Sequence, residues 1–155
     1  MDRKSLKIEK KINADATKLF RAWLNPNDFS CWFLSGDGIG IESVTIDPKP
    51  GGKFLINMSL DGKILPHEGE YITIDEPNKL VFTWRSEATE NRDTIVTITF
   101  EELENSNSFD KKNTNKKSQT LVTLYQEELL NDIQIKMHHH GWTSILDSLN
   151  DWMDS

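Results

Sequence analysis

Apolar and polar residues alternate along most of the chain, with two interruptions of helical spacing near the N-terminus and a third at the end. Residues 6–12, LKIEKKI, place Leu6, Ile8 and Ile12 on one face with a lapse at Lys10, which predicts a first strand. Leu19, Phe20 and Trp23 then recur at helical spacing, with Asn13 or Asp15 as cap, and Pro26 stops this helix. Asn27 or Asp28 is the expected cap of a second short helix carrying Phe29, Trp32 and Phe33. Period two returns in residues 41–47, 53–60, 63–75, 79–86, 93–103 and 119–129. Turn chemistry separates these runs: Pro48, Pro50, Gly51 and Gly52; the hairpin pair Asp61-Gly62; and Glu76-Pro77-Asn78. From Asn131 or Asp132 onward the period is 3.6, with Trp142, Ile145, Leu146, Leu149, Trp152 and Met153 in one stripe.

The order is strand, two short helices, six strands, long helix. Strands joined by tight turns are antiparallel neighbours, and a sheet with one apolar face must be covered. About 22 residues of helix span roughly 33 Å, enough to cross a sheet. The expected fold is therefore α+β: a six- to seven-stranded curved antiparallel sheet gripping a long C-terminal helix. Residues 104–118 contain one apolar residue, Phe109, and are expected to be a mobile hairpin loop.

The chain has 155 residues, which suits one domain over residues 1–155 and a core that needs no disulfide. Its single cysteine, Cys31 between Phe29 and Trp32, reads as a small packed thiol. A net charge of −7 disfavours phosphate backbones, so no nucleic acid partner is expected. The one basic run, Lys111, Lys112, Lys116 and Lys117, lies in the polar loop and reads as solvated. No apolar stretch resembles a signal sequence or a membrane span, and a cytoplasmic protein is expected.

Candidate chemistry is thin. Gly36, Gly38 and Gly40 lack the leading strand and following helix of a phosphate loop and read as a flexible loop. His138, His139 and His140 point about 100° apart on a helix, so they cannot all face one metal and read as surface and boundary residues; His138, one turn before Trp142, is expected at the rim of the space under the helix. His67 and Glu68 adjoin in a strand and face opposite ways, which argues against joint acid–base work. The pairs Glu101–Glu102 and Glu127–Glu128 are split across the sheet for the same reason. No catalytic residue, metal or cofactor is expected.

Five phrases carry a resemblance: INADATKLFRAWLNPNDFSCWF (12–33), PKPGGKF (48–54), GEYITIDEPNKLVFTW (69–84), TIVTITFEE (94–102) and GWTSILDSLNDWM (141–153). In this order they resemble the START-like (SRPBCC, birch-pollen-allergen-like) superfamily. Within it, the chain is similar to the branch named for the C-terminal domain of the activator of heat-shock-protein-90 ATPase. The resemblance implies a helix-grip fold with an apolar cavity between sheet and helix. It also implies two open partner classes, an apolar small molecule or a chaperone or other protein, with a cyclase-like enzyme as a third. The branch brings no shared catalytic set. Absence of the activator's N-terminal domain counts against a full co-chaperone role.

On this fold the residues expected to line the cavity are Trp23, Phe29, Trp32, Phe33, Phe54, Ile56, Met58, Tyr71, Phe82, Trp84, Val96, Ile98, Phe100, His138, Trp142 and Ile145. A filled core uses the same residue types. If the space is filled, an exposed patch around Trp32 and Phe33 is the expected docking surface.

Overall fold

The computed structural model describes residues 3–33, 38–103 and 118–154. The loop expected over 104–118, but for Ser118, lies outside the described residues, as do its lysine run and Gly36. Strand β1 (Lys4–Ile12) leads into helices α1 (Ala16–Leu24) and α2 (Pro26–Trp32). Strands β2 (Gly40–Ile46), β3 (Lys53–Leu60), β4 (Lys63–Asp75), β5 (Lys79–Trp84), β6 (Thr94–Leu103) and β7 (Gln119–Leu129) follow, then helix α3 (Asp132–Asp154). The strands form one antiparallel sheet in the order β1-β7-β6-β5-β4-β3-β2.

Local chemistry explains the boundaries. The Asp15 carboxylate accepts the Lys18 N–H at 2.7 Å, closing the first turn of α1. Asn25, not Asn27 or Asp28, caps α2: its side-chain oxygen accepts from the Asn27 and Asp28 N–H groups. Pro26 thus occupies the first helical position, where its missing N–H has no partner to lose. The helices are anchored on the far end of the sheet, where Glu102 accepts the Ala16 N–H and the Thr120 hydroxyl donates to Ala14 O. At the β3–β4 hairpin Asp61 and Gly62 both have positive φ, 51° and 80°, as the two-residue turn requires.

The sheet curves at β4. Residues 63–70 pair with β3, whereas β5 pairs from Tyr71 onward apart from the Glu68–Arg85 bridge. Gly69 stands at this handover. A Cβ there would collide with the Thr83 carbonyl oxygen and with the ring of Phe54. Only a bare backbone lets β4 pass so close under that ring.

Helix α3 lies over the concave face beside β1. Lys4 reaches Asp132 at 3.1 Å and Lys10 reaches Asp147 at 2.9 Å. Six strand steps are about 20 Å and fifteen helical steps about 22 Å, so the two elements run in the same direction. The lapse in the β1 pattern is thereby explained, since the half-buried Lys10 stem lies under α3 and its ammonium reaches Asp147. Trp142, Ile145, Leu146 and Leu149 are buried; Gln134 and His138 extend the same face toward the N-terminus. Cys31 is exposed rather than packed. In the short α2 the inner face belongs to Phe29 and Trp32, and position 31 falls outward.

Candidate functional site

The two short helices plug one end of the concave face with aromatic rings. Phe29 stacks on Phe33 with centroids 4.2 Å apart, and Trp23 meets Trp32 edge to face at 4.7 Å. Trp142 of α3 joins them and lies 4.9 Å from Trp84 of β5. Trp32 and Phe33 are fully buried, so the docking patch expected around them does not exist. Both rings are used to seal the sheet end.

Trp142 is fixed by a buried polar chain. Its indole N–H donates to Gln126 Oε1 (2.8 Å), Gln126 Nε2 donates to Thr94 Oγ1 (2.9 Å), and that hydroxyl donates to Trp84 O (2.7 Å). Gln126 and Thr94 are 0% and 1% exposed, so every one of these polar groups depends on its neighbour. The chain ties α3 to β7, β6 and β5 and holds Trp84 and Trp142 side by side.

Beside this pair the concave face is not filled. A cleft of about 220 Å³ lies between Met58 of β3, Leu65 and His67 of β4, Trp84, and the first half of α3. Met137, His138, Gly141, Trp142 and Ile145 supply the helix wall. Ile39, Ser86 and Ala88 close the ends. The last two belong to a single 3-10 turn at Glu87–Thr89 and its cap, where Ser86 Oγ accepts the Ala88 N–H and Ser86 N–H donates to the Thr89 hydroxyl. Small residues at 88 and 141 keep the space open. A Cβ on Gly141 would meet nothing within 4 Å. The outer mouth continues past Pro66 and Glu87.

Of the residues expected to line a cavity, Met58, Trp84, His138, Trp142 and Ile145 face this cleft. Trp23, Phe29, Phe54, Ile56, Tyr71 and Phe82 surround a second space of only about 20 Å³, room for about one water. Trp32, Phe33, Val96, Ile98 and Phe100 border neither space and are packed core. The cleft instead recruits Ile39, Leu65, His67, Ser86, Ala88, Met137 and Gly141. The alternation of β4 puts His67 on the inward face; the small or unremarkable residues at 88, 137 and 141 carry no such signal.

Two imidazoles face the cleft. His67 Nδ1 lies 2.9 Å from Leu65 O, and His138 Nδ1 lies 2.8 Å from Gln134 O. Burial pushes both rings below the ordinary histidine range, and a charge on His138 would push His67 further down. Glu68 faces away and pairs with Arg85 at 2.9 Å. In the second space, burial pushes the Tyr71 phenol up. Among the described residues no group of three or more His, Cys, Asp or Glu side chains could hold a metal ion. None of the described helices is long and apolar enough to cross a membrane.

Known structures share this architecture. A protein from Chromobacterium violaceum superimposes with a TM-score of 0.76 at 19% identity over 96% of each chain. One from Rhodobacter sphaeroides gives 0.75 at 12% identity over 97% of this chain and 92% of its own. An Hsp90 activator from Plasmodium falciparum gives 0.69 at 19% identity over 97% and 96%. At such identities the likeness is one of fold. No curated protein sequence matches the chain. The family model for Activator of Hsp90 ATPase homolog 1-like protein matches residues 13–154, which takes in both short helices, the whole cleft and α3, and the chain belongs to that family.

Proposed function

We propose that this protein binds a small apolar molecule in the cleft between β3–β5 and the first half of α3, as a single domain acting in the cytoplasm and without chemistry on its guest. The observation that supports this reading is the unfilled space itself. The aromatic end of the same concave face is packed to within one water of solid, as protein interiors ordinarily are. Some 220 Å³ beside it, walled by Met58, Leu65, Trp84, Trp142 and Ile145, is unlike the rest of that core. Apolar walls with a few polar groups are the usual make-up of a small-molecule site.

Trp84 and Trp142 form one wall, so a guest alters tryptophan emission. A panel of small apolar dyes is expected to quench it saturably with affinities near 1 μM, about −8 kcal/mol. Gly141→Leu places a side chain where no atom now stands. It is expected to abolish the quenching while the melting temperature holds. Unchanged quenching in Gly141→Leu, or none in the wild type, overturns the reading.

A second reading, a protein-docking module in the manner of an Hsp90 activator, is supported by Ile133 and Met137. These neighbours one helical turn apart are 70% and 52% exposed, and Met137 also lines the cleft. It predicts that the chain stimulates the ATPase of its host's chaperone and that Ile133→Asp with Met137→Asp removes the effect. No stimulation by the wild type dismisses it.

A further inference from the structure

The cleft's polar groups restrict what can lie in it. His138 comes from α3 and is 7% exposed; His67 comes from β4 across the space. A backbone carbonyl only accepts, so the Gln134 carbonyl at 2.8 Å places the hydrogen of neutral His138 on Nδ1. Its Nε2 lone pair is then the ring's acceptor. Nδ1 is tied back to the helix, so Nε2 is the ring nitrogen left for a guest, and His138 lines the cleft. His67 has two carbonyls against it, those of Leu65 and Ile56, and is the poorer acceptor. Ser86 Oγ already accepts from Ala88. Among the described residues no lysine, arginine, aspartate or glutamate lines the space.

The guest must therefore bring a donor and no charge. A carboxylate would be buried among apolar walls without a cation, and a bare hydrocarbon would leave the His138 acceptor dry and unpaired. At interior packing density the volume holds on the order of ten non-hydrogen atoms. Flat indole walls at Trp84 and Trp142 favour a ring over a long aliphatic chain. We propose that the ligand is an uncharged one- or two-ring aromatic alcohol whose hydroxyl donates to Nε2 of His138. This deepens the small-molecule reading above and rests on it.

Three bicyclic probes of nearly equal size test it at pH 7.5: 2-naphthol, 2-methoxynaphthalene and 2-naphthoate. In the wild type 2-naphthol is expected to bind about tenfold tighter than the methyl ether, the equivalent of one buried hydrogen bond at about 1.4 kcal/mol. The carboxylate is expected to bind more weakly than either. His138→Phe keeps a ring in place and is expected to equalise the alcohol and the ether without lowering the affinity for the ether. His139→Phe, exposed on the same helix and outside the cleft lining, is expected to keep the preference. Equal binding of alcohol and ether by the wild type overturns the proposal and leaves the apolar cleft standing, as does a preference that survives His138→Phe. Tighter binding of the carboxylate also overturns it. If no probe binds, the small-molecule reading itself fails.

Discussion

Single buried polar atoms decide more here than the many apolar ones around them. Gln126 sits in β7 among Val122 and Leu124, yet its amide joins Trp142 to Thr94. Gln126→Leu keeps the volume and strands the Trp142 indole N–H and part of the Thr94 hydroxyl. It is expected to cost about 1–3 kcal/mol in denaturant melts, more than its change in size explains. A cost near zero would mean the chain carries no stability.

His138 makes a second case. Its folded-state value lies below the ordinary 6.5, so the unfolded chain binds protons the folded chain refuses. Its contribution is full above pH 6.5 and is lost as pH falls through that value toward the folded one. His67, lowered for the same reason, adds to the slope. Around them are Lys63, paired with Glu87, and Glu68, paired with Arg85; of these only Glu87 reaches the outer mouth of the cleft. Stability is therefore expected to drop between pH 7 and 5, and His138→Phe is expected to flatten that drop. Parallel curves for the two proteins would refute the assignment.

At the scale of elements, α3 does two jobs with one stripe. Leu146 and Leu149 close the core, while Met137, His138, Gly141, Trp142 and Ile145 wall the cleft. Gly141 is the one glycine in that wall. Glycine inside a helix is less stable than alanine by about 0.5–1 kcal/mol, and a Cβ here meets nothing. Gly141→Ala is expected to raise stability by about that amount, read from chemical denaturation. A loss instead would show that the helix packs closer than described. Trp142→Ala, by contrast, removes both a cleft wall and the anchor of the polar chain. A cost of about 3–5 kcal/mol is expected, as for other large-to-small core changes.

For the whole molecule, the pairing of β4 passes from β3 to β5 around Gly69, and the cleft is lined from all three strands. Gly69→Ala forces the Thr83 carbonyl or the Phe54 ring to move. Both stability and any guest affinity are expected to fall together, whereas Gly141→Leu separates them. A fully stable Gly69→Ala protein would remove the argument that close passage under Phe54 sets the curvature.

Periodicity along the chain was enough to determine the elements and their order. Alternation, the Asp61-Gly62 hairpin and the 3.6-residue stripe of α3 are local signals, written within a few residues of where they act. Even the inward side of His67 follows from strand alternation. What the tertiary structure alone decided is which apolar residues touch one another and which border a gap. Trp32, Phe33 and Phe100 are of the same chemical type as Trp84 and Trp142, but the first three are sealed by α1 and α2 while the last two wall the cleft. That difference depends on the handover of β4 at Gly69, on the lie of α3 along β1, and on small residues at 88 and 141 whose importance is the volume they leave empty. Empty volume has no residue type, so no pattern of residues announces it.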